Sequence, residues 1–293
     1  MLFRLLKRKV AHLLVKWYDP LVNLQLGNQE IKVNLSHQLR DIVKVYPQYN
    51  HNLGRIVGYT EAVRGKISVI DIGANVGDTV AFIRNTSEAP ILCIDGEEKY
   101  VEILKTNVQQ YKDISICHTL VGKENKSENV KLKVEKGTAH IEFSNKPVTV
   151  RTLENILEEF PRFKESKVLK TDTDGFDTWI LRSCSSFLKT VKPILFFEFD
   201  PYFIKANNDD PFEFIDYLKS IGYKYLIFYT NIGDLLLSCS MEDTKTIHQI
   251  VHFFSGREVE MFADICAFME EDKDIFIYSV EHEIQHYREV RKY

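Results

Sequence analysis

The chain reads as an open α/β fold built on a mostly parallel sheet, and three observations carry that reading. The runs Ile67 to Ile72, Ile91 to Asp95, Val168 to Asp172 and Pro193 to Asp200 are apolar without in/out alternation, as strands buried on both faces are. Each carries an acid at or near its C-terminal end: Asp71, Asp95, Asp172 and Glu198. Between them lie stretches with helical periodicity, Val80 to Ile83, Tyr100 to Gln110 and Thr178 to Leu188. That alternation is what a parallel sheet with crossover helices requires. Ligands of such sheets bind outside the carboxyl ends of the strands, so the four acids mark a candidate site.

Length and composition fit one large core plus appendages: 293 residues, 44% hydrophobic and 27% charged. A net charge of -4 leaves no basic footprint, so no nucleic-acid partner is expected. The five cysteines (Cys93, Cys117, Cys184, Cys239, Cys266) form no C-x-x-C pair, and four lie in apolar runs. This predicts buried thiols in a reducing compartment, not a disulfide frame or a zinc site. No apolar run reaches the roughly 18 residues of a membrane span, and Lys7 to Lys9 interrupt any signal-peptide core. Cytoplasmic placement is expected.

Taken in order, Met1 to Tyr18 predicts an amphipathic helix. Leu2, Leu6, Val10, Leu13 and Trp17 recur at helical spacing, with Arg4, Lys7, Arg8, Lys9 and Lys16 on the other faces. It is expected to pack on its own domain or a partner, a second copy of the chain included; the alternative is the inner face of an anionic membrane. Asn23 to Leu26 and Ile31 to Val33 flank Gly27-Asn28, a hairpin signal. Asp41 to Val45 leads to a helix around Leu53 to Val57, expected to shield the ligand side of the sheet. Residues 1–65 thus form an N-terminal extension and not an independent domain.

The α/β rhythm runs from 66 to 240. Ile114 to His118 is a third strand; Val130 to Val134 and His140 to Phe143 alternate like an inserted antiparallel hairpin. Thr152 is a natural N-cap for a helix over Leu153 to Phe160. After Glu198 come a helix from Asp210 to Ser220 and a closing pair, Tyr223 to Phe228 and Leu235 to Ser238. Residues 241–293 read as a C-terminal helical extension: a helix near Asp243 to Phe254, a short apolar run, Met261 to Phe268, and a charged helix from about Asp274.

The turn Gly73-Ala74-Asn75-Val76-Gly77 decides which ligand the edge takes. A dinucleotide site wants G-x-G-x-x-G, whose second glycine lets the backbone close on a pyrophosphate. Asn75 stands there instead. S-adenosylmethionine carries no phosphate. It needs a turn passing close to an amino-carboxylate and a sulfonium, plus a later acid for the ribose. Gly73, Gly77 and Asp71 suit the first requirement. Asp95, at the end of the second strand, suits the other, because a carboxylate can accept from both ribose hydroxyls.

These residues carry a resemblance. Asp71-Ile-Gly73-Ala-Asn75-Val-Gly77, Lys170-Thr-Asp172-Thr-Asp174-Gly175-Phe-Asp177 and Phe197-Glu198 are similar to the motifs of the FkbM-type family of S-adenosylmethionine-dependent methyltransferases, over about Ile67 to Phe199. The resemblance implies a Rossmann-like seven-stranded sheet with its last strand antiparallel. It also implies methyl transfer to oxygen, often on a sugar or natural-product hydroxyl. Asp71, Gly73, Asn75 and Gly77 then line the cofactor turn, and Asp95 takes the ribose place. Asp172 sits beside the reacting centre. The chain departs from the family's usual glutamates at Asp174 and Asp177, and has Asp95-Gly96 where Glu-Pro is common. The shorter side chain withdraws a carboxylate by about 1.5 Å.

A sugar hydroxyl is a poor nucleophile and benefits from a base or a metal. Asp172 is the expected base, with Glu198 and Asp174 as further catalytic candidates; His118 or His140 is the alternative base, and His118 also counts among the cofactor-binding candidates. Convergent carboxylates holding Mg²⁺ are the alternative. An NAD-linked sugar oxidoreductase shares the scaffold but lacks the glycine pattern and any Tyr-x-x-x-Lys pair. The shortened Asp174 and Asp177 leave a third option, a cofactor-binding scaffold without catalysis. Finally, His282-Glu283-Ile284-Gln285-His286 matches the H-E-x-x-H of zinc proteases. It has no third ligand downstream, and its charged surroundings predict a solvated helix face.

Overall fold

The computed structural model describes residues 18–135, 138–255 and 261–291. The amphipathic stretch expected over Met1 to Tyr18 therefore lies outside the described residues, save Tyr18. A hairpin comes first: β1 (Leu21–Leu26) pairs antiparallel with β2 (Gln29–Asn34). Ile31 and Val33 are buried while Glu30 and Lys32 face solvent, the period-two pattern of a sheet with one wet face. Helices α1 (Leu39–Val45) and α2 (His51–Arg64) follow.

The α/β unit starts with β3 (Val69–Ile72), α3 (Asp78–Ile83), β4 (Ile91–Asp95), α4 (Glu98–Val108) and β5 (Ile114–His118). A small inserted sheet is made of β6 (Leu120–Val121), β7 (Lys126–Glu135) and β8 (Thr138–Arg151), in the order β6-β8-β7. Then come α5 (Leu153–Glu159), β9 (Val168–Thr171), α6 (Asp177–Ser183), α7 (Ser185–Thr190), β10 (Ile194–Phe199), α8 (Pro201–Ala206) and α9 (Pro211–Ser220). The chain closes with β11 (Tyr223–Thr230), β12 (Leu235–Ser240), α10 (Thr244–Phe254), β13 (Ala263–Met269) and α11 (Lys273–Arg291).

The main sheet has the order β12-β11-β13-β10-β9-β3-β4-β5. Strands β10, β9, β3, β4 and β5 run parallel, and β13 lies antiparallel between β10 and β11. The Rossmann-like arrangement is the expected one, with eight strands instead of seven. The eighth is β12, which pairs antiparallel with β11 at the edge and carries the Leu235 to Ser238 half of the closing pair.

The C-terminal segment departs from the expected helical extension. Residues 263–269 form a fully buried strand inside the sheet, so a boundary at 240 cuts through the sheet. The apolar run lacks alternation because both of its faces are covered, and it is too short to be told from a buried helix by periodicity. The helix expected over Thr178 to Leu188 is two, broken at Cys184. Helix α8 was not expected, although Asp200, whose side chain accepts from the N–H groups of Tyr202 and Phe203, and Pro201 after it are a legible start signal.

Strand alternation sorts the core into two layers. Ile70, Ile72, Leu92, Ile94, Leu169, Leu195 and Phe197 face α5, α6, α7, α9 and α10. Val69, Ile91, Cys93, Val168, Ile194 and Phe196 face α2, α3, α4 and α11. The hairpin packs Leu26, Ile31 and Val33 against Val76, Phe82 and Tyr100, behind the turn after β3. Cys93, Cys117, Cys184 and Cys266 are buried free thiols, and Cys239 is half-buried. Among the described residues no helix is long and apolar enough to cross a membrane.

The H-E-x-x-H segment sits in α11, and there the expectation of a solvated face fails. Glu283 is fully buried and takes two hydrogen bonds from Arg55 of α2, at 2.5 and 2.8 Å, and a third from Tyr59 at 3.2 Å. His282 Nδ1 lies 2.8 Å from the Tyr278 carbonyl, and His286 Nε2 lies 3.3 Å from Gln48 Oε1. The glutamate ties the last helix to an early one. Helix α2 packs on the sheet face beside α3 and α11, and contributes no side chain to the cavity at the strand ends, contrary to the shielding expected of it.

Candidate active site

A cavity of about 410 Å³ opens at the carboxyl ends of β3, β4 and β9, within the size range of small-molecule sites. Its floor is the turn after β3. The N–H groups of Gly73 and Ala74 both donate to the Ile94 carbonyl at the end of β4, at 2.9 and 3.2 Å, and Gly77 N–H donates back to Ala74. Gly73 has φ +77°, and a β-carbon there would run into the Asp172 carbonyl oxygen, so only glycine brings the two loops this close. Gly77, at φ +86°, leaves room instead for Leu104 of α4. It is a packing glycine behind the cavity and not part of its wall.

Asn75 and Asp95 do line the cavity. Asn75 adopts the left-handed conformation, φ +46°, which asparagine tolerates better than most side chains. Its N–H donates to Asp95 Oδ2 at 2.8 Å, while Glu97 N–H donates to Oδ1, also at 2.8 Å. The carboxylate thus pins the glycine turn to the end of β4, with lone pairs left on both oxygens. Burial pushes its pKa up, against these two N–H groups.

Behind the floor lies an ion pair set by register. β3 and β9 pair Asp71 with Lys170, and alternation puts both side chains on one face. Lys170 Nζ is 3.0 Å from Asp71 Oδ1, 3.6 Å from Asp172 Oδ2 and donates to the Gly73 carbonyl at 3.1 Å. Burial works against its charge, but Asp71, Asp172 and Asp78 outweigh it and hold the ammonium well above its usual pKa. Asp71 is completely buried, so it supports the turn from below and does not touch the cavity.

The catalytic candidates separate by exposure. Asp172 and Asp174 line the cavity, and the Asp172 side chain is 46% exposed. Asp174 sits at φ +53°, in the turn that leads to Gly175. Glu198 is buried behind Asp172, within hydrogen-bonding reach of it, and paired across strands with Asp264 of β13. Burial first, then the charges of Asp172, Asp177 and Asp174, push Glu198 well above the carboxylate range; burial and Asp172 do the same for Asp264. Asp177, fully buried at the start of α6, is pushed up to about 6 by burial and by Asp172. Asp172, which faces the cavity, is therefore backed by buried acids whose pKa values are raised.

His118 is exposed, its Nε2 lies 3.2 Å from the Gly96 carbonyl, and it is not part of the cavity wall. Among the described residues no group of three or more His, Cys, Asp or Glu side chains converges as a metal cage, so the arrangement lends the Mg²⁺ alternative no support. The wall also holds residues that the sequence reading passed over: Tyr100, Thr119 and Leu120 on the Asp95 side, Trp179, Asn207 and Asp209 on the other. Trp179, 46% exposed, lies two residues after the Asp-Gly-Phe-Asp turn, and an aromatic so placed was the available signal.

A family model described as the methyltransferase FkbM domain matches residues 71–225. Among solved structures, the chain is similar to the methyltransferase FkbM from Methylobacillus flagellatus KT, at 16% identity and TM-score 0.41, over 57% of this chain and 43% of that one. It also overlaps a precorrin-6y methyltransferase from Geobacter metallireducens GS-15, at 10% identity and TM-score 0.40, over 74% of this chain and 86% of that one. No curated protein matches the chain closely enough to count as a relative. The family match takes in the glycine turn, Asp95 and the Lys170 to Asp177 segment, more than half of all residues, and the chain belongs to the methyltransferase FkbM domain family.

Proposed function

We propose that the chain is an S-adenosylmethionine-dependent O-methyltransferase acting on a hydroxyl of a sugar, glycan or natural product. The observation that carries the reading is the turn at Gly73 and Asn75, closed by Asp95, at the floor of the cavity of about 410 Å³. The donor set fits. Gly73 and Asn75, both in the cavity wall, would hold the methionine end. The spare lone pairs of Asp95 suit a ribose diol, and Ile94, Leu120 and Val121 offer apolar wall for a base. When bound, the donor supplies a methyl carbon activated by a sulfonium.

The protein's own part is alignment and proton handling. Asp172 is the base that takes the acceptor hydroxyl's proton, since it alone of the buried-acid cluster combines exposure to the cavity with an ammonium 3.6 Å away. Glu198, favouring its neutral form, donates a hydrogen bond to Asp172 and fixes its orientation. Asp174 is the second carboxylate an acceptor would meet. Trp179 at the rim, next to Asn207 and Asp209, gives an apolar ring face flanked by polar groups, which suits an acceptor that carries both.

Isothermal titration with S-adenosylmethionine tests the reading. Wild type should bind, and Asp95→Ala should bind at least about tenfold more weakly, the loss of charge-assisted contacts worth 1.5 kcal/mol or more. No heat with wild type, or binding of NADH in its place, would end the proposal.

A further inference from the structure

The cofactor turn is braced from outside the family's matched span. The brace is the hairpin and the segment that follows it. Asn107 of α4 accepts from Lys32 N–H at 2.7 Å, and its amide donates to the carbonyls of Lys32 and Val76, at 2.8 and 2.7 Å. The edge of β2 is thereby bolted to the turn through one side chain. Asn85, at the end of α3, accepts from Asn28 N–H at 2.7 Å and donates to the Leu26 carbonyl at 3.1 Å, which holds the hairpin tip.

From this braced hairpin, His37 reaches the turn itself. Its Nε2 lies 3.3 Å from Asn75 Oδ1, and its Nδ1 accepts from Leu39 N–H, also at 3.3 Å. A nitrogen that accepts a backbone N–H carries no proton, so the ring's proton is on Nε2 and is donated to Asn75. The ring is 9% exposed and lies 6.1 Å from that of Tyr100, which lines the cavity. Asp19 is the charged group facing it, and that carboxylate is already engaged by the N–H and hydroxyl of Ser36, at 2.9 and 2.5 Å. Asn75 is held at the two ends that matter: its N–H by Asp95 and its side-chain oxygen by His37.

We propose that His37 is a positioning residue for the donor site, which locks the Asn75 side chain and with it the left-handed turn that meets the methionine end of the donor. This inference rests on the donor-binding reading above, but assigns part of that site to a segment lying before residue 71. Leu39 starts α1, so His37 joins two jobs, closing that helix start and holding the turn. Two near-isosteric changes separate them. In His37→Asn the amide oxygen falls near the Nδ1 position and keeps the Leu39 contact, but is too short for Asn75. In His37→Gln the amide nitrogen falls near Nε2 and keeps the Asn75 contact.

Two readouts are used on the full chain: titration with S-adenosylhomocysteine, and hydrogen exchange of the amides of residues 73–77 with no ligand present. His37→Asn should raise the dissociation constant by about 5- to 10-fold, the effect of one buried hydrogen bond lost, and speed exchange in the turn. His37→Gln should stay within about threefold of wild type on both counts. Should His37→Asn match wild type in both readouts, or should both variants weaken equally with a common fall in melting temperature, the positioning role is wrong. Failure of wild type to bind would instead remove the donor reading, while the exchange experiment still judges the brace.

Discussion

The Arg55–Glu283 pair gives the sharpest test of how this chain is held together. Glu283 is 0% exposed and Arg55 8%, and the two groups meet through paired hydrogen bonds at 2.5 and 2.8 Å. Replacing Glu283 by Leu removes the carboxylate and leaves a guanidinium in the interior. Breaking a buried pair from one side costs about 3–5 kcal/mol, because the remaining charge is desolvated with nothing to answer it. At about 2–4 °C per kcal/mol for a chain of this order, the melting temperature should fall by roughly 6–20 °C. The double variant Arg55→Met/Glu283→Leu removes both charges and should recover most of that loss. Urea unfolding of wild type, both single variants and the double variant measures the cycle directly. A loss below about 1 kcal/mol for Glu283→Leu, or a double variant no better than the worse single one, would refute the reasoning. A stoichiometric zinc ion in purified wild type would do so by another route, since it would mean that His282 and His286 leave their present partners.

Three further outcomes follow from the site. Asp172→Asn should lower kcat by about 10²–10⁴, the usual share of a general base, while donor affinity stays within a few fold; unchanged turnover would move the base elsewhere. Glu198→Gln should keep most of the activity at neutral pH, because a neutral amide can still donate to Asp172, whereas Glu198→Leu should lose orientation and rate; equal losses would show that Glu198 works as an anion. Asp177 carries a pH signature in stability. Its pKa, about 6 in the folded chain against an ordinary 3.8, means that the folded state holds the proton more tightly, so its contribution is fully present below about 4 and is lost as pH rises through 6. Unfolding free energies at pH 5 and 7 should differ by roughly 1 kcal/mol less in Asp177→Asn than in wild type, and an identical difference would contradict the assignment.

What was legible in the sequence is what local chemistry determines. The glycine turn, the acid-tipped strands and the cap at Thr152 were visible because each is a short-range physical requirement: a positive φ, a strand buried on both faces, an unsatisfied helix N–H. Asp95, Asn75 and Asp172 lie where those signals put them. Residues whose role depends on distant partners were not legible. Nothing in His282 to His286 shows that Glu283 meets an arginine 228 positions earlier, and the charged neighbours suggested the wrong face. Asp71 was placed in the site by its motif, yet pairing with Lys170 draws it beneath the floor. Gly77 was credited to the ligand, although the atom that needs its missing side chain is on Leu104. Ala263 to Met269 reads the same as a strand or a buried helix until the open position between β10 and β11 is known.

That last strand also bears on the chemistry. The family's matched span ends at 225, and within it β10 would have one side unpaired and Glu198 one side open. β13 closes that side, sets Asp264 opposite Glu198, and buries both acids. An enclosed carboxyl next to another carboxylate gives up its charge, and only then can it donate a hydrogen bond to Asp172 instead of repelling it. The segment before residue 71 acts at the other end of the site in the same way, since β2 docks on Asn107 behind the turn and His37 reaches Asn75 within it. Flanking segments, one before residue 71 and one after 225, thus supply what the shared core lacks. One removes a charge behind Asp172, and the other removes freedom from the turn after β3.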